Sequence, residues 1–263
     1  MPTQKDHIVL HDAVNSPAGR RVRMTLFEKG LAFEIRWMNL ALLDQKRGPY
    51  LAMNPSGLVP TLVHDGRILF ESNVINEYLD ATFPVPRLVP GDPVKQAEMR
   101  MWMAFELEWA KPFRTAIYET YAKDRLRSSG VTPESLPGLI GERTNNQAYL
   151  HMARHLLVAP RDDGLLEDCI AILFERMAWM ESQLRDGRRW LLGSRFSLAD
   201  IAVAPRLAMF PLIGVDDLYR RFPLIGSYMG RLATRRSWRE SDLQPASGRD
   251  VLTIGPRARR RRS

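Results

Sequence analysis

The sequence predicts an α/β unit over residues 1–83 followed by an all-helical unit over residues 95–245. Three observations carry this. Residues 7–82 alternate short apolar runs with helix-period stretches in the order βαβ–ββα. Residues 84–94, PVPRLVPGDPV, hold four prolines in eleven positions, which suits a linker. Beyond the linker every periodic stretch has helical spacing. With 263 residues, 45% of them hydrophobic and 26% charged, the chain has material for a core in each unit, and its composition is not that of a disordered one.

HIVLH (7–11) reads as a short strand. The loop DAVNSPAG leads into RRVRMTLFEKG, where Val22 and Leu26 join Ala18 on one helical face and Gly30 is placed to end the helix. AFEIRWMNL alternates as a second strand, and LLDQKRGPYLAM is an irregular helical stretch. PTLVHD and RILFES are apolar runs joined by Asp65-Gly66, the strongest short hairpin signal. SNVINEYLDATF is amphipathic through Val74, Ile75, Tyr78 and Leu79, with Ser72 able to cap it.

In the second unit, residues 95–127 form one long amphipathic pattern in which Pro112 predicts a kink or a break. SSGVTPESLPG reads as a loop, and residues 145–186 are helical again, interrupted near VAPRDDG. In RFSLADIAVAPRL, Ser197 and Asp200 have the spacing of a capping box, and Phe196 and Ile201 that of a hydrophobic staple. These four residues mark a helix start and nothing more.

The polar opening MPTQKDHIVLHD has no apolar signal pattern, and no run approaches the ~20 apolar residues of a membrane span, so a cytoplasmic protein without membrane contact is expected. Cys169 is the single cysteine, which excludes an internal disulfide, and its helical context LLEDCIAILFERM predicts a buried, inert thiol. The net charge of +8 falls to +3 without the five arginines between 257 and 262. Residues 246–263 therefore read as a solvated tail rather than a nucleic-acid contact.

The βαβ–ββα order, the linker and the helical remainder together resemble the glutathione transferase family over residues 7–237. The most specific stretches are SPAGRRVRMTLFEKGL, NPSGLVPTLVHDGRILFESNVINEYLD and FSLADIAVA. The resemblance implies a thioredoxin-like N-terminal domain that binds glutathione and a C-terminal helical bundle domain that binds the second substrate. It makes Pro60 a cis-proline at the start of the third strand, with the N–H and C=O of Val59 turned toward the cysteinyl unit of glutathione. Outside that context Pro60 is an ordinary edge proline. It also places Glu71 and Ser72 at the γ-glutamyl end, as carboxylate and hydroxyl beside helix amides, roles compatible with capping. Gln45 and Lys46 fall opposite the glycyl carboxylate, where a solvated face is the alternative.

The family's thiol-activating position falls in VNSPAGRR, with Ser16 the matching hydroxyl and Asn15 a second donor. A cysteine-like thiol has a pKa near ~8.5, and lowering it by about two units requires ~2.7 kcal/mol. A charge-assisted hydrogen bond at a helix N-terminus is of that order. Ser16 is equally an N-cap ahead of Pro17. The lack of cysteine in residues 15–19 disfavours mixed-disulfide chemistry, and Ala18-Gly19 predict room beside the sulfur.

A small aromatic electrophile is expected against the long helix, where Met101, Met103, Phe105, Trp109, Tyr118 and Tyr121 offer apolar lining, most of it core. Met103, Trp109 and Tyr118 are the candidates for contact. ESNVINEYLDATFP and AEMRMW are similar to the bacterial β-etherases, in which the thiolate attacks the carbon bearing an aryloxy group. A general detoxifying transferase or peroxidase, and a non-catalytic partner-binding module, are the alternatives. No metal is implied; a dimer is, with itself or with a paralogue.

Overall fold

A computed structural model describes residues 7–140, 151, 154, 155, 157–243 and 251–254. The first domain runs β1 (Ile8–Asp12), α1 (Pro17–Lys29), β2 (Phe33–Trp37), α2 (Gly48–Leu51), β3 (Thr61–His64), β4 (Arg67–Phe70) and α3 (Ser72–Thr82). The stretch predicted as irregular helix is two 3-10 turns, Leu40–Leu42 and Asp44–Lys46, followed by α2. β2 runs parallel to β1, while β3 and β4 are antiparallel, in the order β4-β3-β1-β2. This is the thioredoxin-like arrangement. β1 is central, so Ile8, Val9 and Leu10 are all buried and its first three residues are a continuous apolar run rather than an alternating one.

Local chemistry sets the ends of these elements. Ser16 Oγ accepts the Gly19 amide at 3.0 Å and Pro17 occupies the first helical position, fixing the start of α1. Gly30, at φ 66°, ends α1, with its N–H and that of Leu31 returning to Phe27 and Leu26. Asp65 and Gly66 both have positive φ, 48° and 81°, the geometry of a type I′ hairpin turn. Ser72 is not the cap anticipated for α3. The helix begins at Ser72 itself, after Glu71 at φ 69° and ψ 107°, and Ser72 Oγ accepts from Arg21 Nη1 at 3.3 Å.

The tail needs a correction. Val251–Ile254 form a fifth strand, β5, antiparallel to β2 at the edge of the sheet. The apolar Val-Leu-Thr-Ile segment just before the arginines covers an otherwise open edge, so residues 246–263 are not a solvated tail throughout. The arginines themselves lie outside the described residues.

The linker is held by side chains rather than left loose. Asp80, buried, accepts the amides of Leu88 and Val89 at 2.8 and 3.1 Å and pairs with Lys29, whose ammonium also donates to the Pro86 carbonyl. A buried carboxylate with amide and ammonium donors is satisfied where an unpaired one would be costly.

The helical domain comprises α4 (Pro93–Ile117), a π-helical turn (Tyr118–Ala122), α5 (Lys123–Ser128), α6 (Leu136–Ile140), α7 (Asp163–Gln183), α8 (Leu198–Leu207), α9 (Leu218–Arg221), α10 (Pro223–Ala233) and α11 (Arg236–Glu240). α4 continues through Pro112; the irregularity comes six residues later, in the π turn. Trp109, Phe113, Leu173, Met177, Ile201 and Phe210 lie in one core cluster, to which buried Cys169 also belongs. The capping box at the start of α8 is present: Asp200 takes the Ser197 amide at 2.9 Å, and Phe196 and Ile201 are buried beside it. α1 packs against α3, α8 and α11 and so joins the two domains.

Candidate functional site

A cleft of about 400 Å³ lies between the domains. Its first wall comprises residues 13–17 at the entry to α1, the turn after β2 around Met38–Leu43 with Gln45, and Leu58-Val59 before β3. Its second wall is the end of α4 with the π turn and α5, and Arg206 and Met209 lie at the end of α8.

Ser16 sits at the helix N-terminus on the first wall. Its oxygen accepts from Gly19, which leaves the hydroxyl hydrogen for a ligand. Asn15 is exposed in the cleft and donates through Nδ2 to the Tyr121 hydroxyl at 2.6 Å, a bond from one wall to the other.

The loop that enters β3 is locked from behind. Tyr50 Oη donates to the Leu58 carbonyl at 2.6 Å and lies 2.8 Å from Thr61 Oγ1, while Asn54 Nδ2 reaches the same two atoms at 2.9 and 3.1 Å. Burial pushes the Tyr50 phenol up to about 12, so it stays a neutral donor. Between these anchors the Val59–Pro60 bond is cis, and Val59 lines the cleft. Tyr50 and Asn54 carry no chemistry of their own, and their positioning role shows only once the chain folds back on itself.

Gln45 lines the cleft, but Lys46 does not; its ammonium donates to the Ser56 carbonyl at 3.1 Å, and burial lowers its pKa. Glu71 and Ser72 lie at the β4–α3 junction, outside the cleft lining, with Glu71 exposed and Ser72 buried. Met103 and Trp109, expected as substrate contacts, are core residues of the helical domain, and of the three candidates only Tyr118 lines the cleft. The reason is helical phase for Trp109 and axial position for Met103. The cleft face of this helix runs through positions 114, 118, 121 and 125, and 109 falls about 140° away on the inward face. Position 103 shares the angular position of 114 but lies about three turns, roughly 16 Å, earlier along the axis, inside the core.

The room expected beside Ala18-Gly19 is also taken. A Cβ on Gly19 would lie 1.6 Å from Asp12 Oδ1, so glycine makes space for a buried carboxylate rather than for a ligand. Asp12 pairs with Arg23 at 3.3 Å and accepts the Ala13 amide at 2.7 Å, yet burial pushes its pKa up to about 6.

Beneath the cleft Glu106, fully buried, is shared by Arg21 from the first domain and Arg206 from α8. Arg21 also reaches Ser72, so a continuous polar chain runs from the β4–α3 junction to the cleft floor. Arg206, Arg114 and Arg125 were absent from the sequence expectations. For Arg114 and Arg125 the signal was there, since they share one helical stripe with Tyr118 and Tyr121.

Residues 15–82 match the family model described as the glutathione S-transferase N-terminal domain, and residues 163–239 the glutathione S-transferase C-terminal domain. A glutathione S-transferase from Hyoscyamus muticus is 28% identical over 232 residues, covering 87% of this chain and 94% of its own length. Protein LigF from Sphingobium sp. (strain NBRC 103272 / SYK-6) is 46% identical, but over 80 residues, 30% of this chain and 31% of LigF. The crystal structure of the β-etherase LigF from Sphingobium sp. strain SYK-6 superposes with a TM-score of 0.78, covering 89% of this chain and 98% of that one at 24% identity.

Proposed function

We propose that this chain, which belongs to the glutathione S-transferase family, binds glutathione with its sulfur at Ser16 and delivers the thiolate to an aromatic electrophile in the interdomain cleft. The observation that carries this reading is Ser16 itself: a hydroxyl whose acceptor side is occupied by Gly19, placed at a helix N-terminus on a cleft with an aromatic second wall. The hydroxyl hydrogen and the helix dipole both favour an anionic sulfur.

Val59 would pair its main chain with the cysteinyl unit, and Gln45 would face the glycyl end, with Lys46 behind it. Glu71 and Ser72 would take the γ-glutamyl ammonium and carboxylate. The φ 69°, ψ 107° conformation of Glu71 supports that role, because a non-glycine residue there costs ~1–3 kcal/mol and such costs concentrate at binding sites. Asn15 would act through Tyr121, setting the separation of the two walls.

For the electrophile we favour a β-aryl ether of lignin-derived aromatics. The local 46% identity to LigF supports it. The sulfur forms a C–S bond at the ether carbon, the C–O bond breaks with its electron pair on oxygen, and the phenolate takes up a proton. The products are a glutathione thioether and a phenol. A reducing cytoplasm suits a thiol co-substrate. The exposed apolar residues Ile68, Phe70 and Val74 on one domain and Met101 and Leu107 on the other support pairing of two copies.

Incubation with glutathione and aryl ethers, halo-nitroaromatics or hydroperoxides, followed by product identification, tests the reading. A thioether with released phenol supports it. Conjugation of halo-nitroaromatics alone keeps the transferase and rejects the etherase. No product, with no retention on immobilised glutathione, rejects both in favour of a non-catalytic module.

A further inference from the structure

Three arginines, Arg114, Arg125 and Arg206, line the cleft, and among the described residues no carboxylate does. Arg114 and Arg125 are exposed at the two ends of the stripe that also carries Tyr118 and Tyr121, and the Arg125 guanidinium lies 5.7 Å from the centre of the Tyr121 ring. The acids nearest in sequence are turned elsewhere: Glu119 is committed to Lys123 and the Asp162 amide, and Asp124 is not part of the lining.

On the floor, buried Glu106 balances only one of its two guanidinium partners, buried Arg21 and partly exposed Arg206, so the triad keeps a net positive charge. Arg206 lies over Trp109 and Phe113, at 5.8 and 5.5 Å from their ring centres, and still lines the cleft. Cations gathered around a partly apolar cavity raise its potential more than the same charges spread over an open surface. A neutral aromatic would use the tyrosines and leave these charges idle. An aromatic ring ending in a carboxylate would use both, since guanidinium forks match carboxylate geometry.

We propose that the cleft selects aromatic electrophiles bearing a carboxylate, held at the mouth by Arg114 and Arg125, with Arg206 adding to the field from the floor. This rests on the glutathione reading above and narrows its substrate class.

The test is calorimetry with two stable product analogues, S-(4-carboxybenzyl)glutathione and its neutral isostere S-(4-carbamoylbenzyl)glutathione. The carboxylate form is expected to bind about tenfold tighter at low salt. The preference should shrink as salt rises from ~0.01 to ~1 M, where the screening length falls from ~30 to ~3 Å. It should also collapse toward unity in R114Q/R125Q, whose exposed positions spare the core. Equal binding of the two analogues overturns the charge proposal and leaves the transferase intact. A preference that survives both salt and the double variant also overturns it. Failure of both analogues to bind removes the glutathione reading and this proposal with it.

Discussion

Asn15, on the loop entering α1, donates to the hydroxyl of Tyr121 at 2.6 Å across 106 residues of sequence. One partner belongs to the sheet-containing domain and the other to a π-helical turn of the helical domain. Tyr121 lies within that turn, and it lines the cleft together with Arg125 one helical turn further on. Tyr121→Phe removes this bridge and nothing from the core. A single hydrogen bond is worth ~0.5–1.5 kcal/mol, so kcat/KM for the electrophile should fall about two- to tenfold with the melting temperature nearly unchanged. Steady-state kinetics at saturating glutathione, with a thermal scan, checks it.

Ser16→Ala removes both the proposed donor to sulfur and the cap of α1. Turnover should drop about ten- to a hundredfold, in line with ~1.5–3 kcal/mol for a hydrogen bond to a charged group. The cap loss adds ~0.5–2 kcal/mol of destabilisation. Thiolate absorbance of bound glutathione against pH separates the two, because a purely structural serine leaves that titration where it was. Ser16→Thr, which keeps the oxygen, should recover most of the loss.

Gly19→Ala should destabilise the fold by at least about 1–3 kcal/mol, since the new methyl meets the carboxylate of Asp12 and the neighbouring Arg23 pair fixes that side chain. Chemical denaturation measures it. A wild-type-like midpoint would mean that Asp12 has somewhere else to go.

Asp200 predicts a pH dependence with a definite sign. Burial raises its folded pKa to about 6, while the unfolded group titrates near ~3.9. The folded state therefore binds the extra proton between those values. The contribution of Asp200 is complete below pH ~4, declines as pH rises through ~6, and is flat above. The stability deficit of Asp200→Asn relative to the parent should thus be largest near pH 4 and shrink toward pH 7, by up to about 3 kcal/mol. Paired denaturation curves across that range check it, and a deficit that grows with pH would contradict the assignment.

Local chemistry by itself determined the order of elements, the Asp65-Gly66 hairpin, the Gly30 terminator and the Ser197–Asp200 cap, because each depends on residues within a few positions of one another. It also put Ser16 at the head of α1 and Val59-Pro60 at the head of β3. It misjudged Met103 and Trp109 because periodicity shows that a helix has faces without showing which neighbour each face meets. It passed over Val251–Ile254, since a strand at the chain's end acquires a partner only when β2 offers its edge. Only the tertiary structure decided that Tyr50 and Asn54 hold the loop before Pro60, that Arg21, Glu106 and Arg206 converge from three elements, and that Asp12 fills the space at Gly19. The buried charges of Glu106 and Asp80 are stabilised by partners far away in sequence, and the partners of Glu106 are fixed by how the two domains pack.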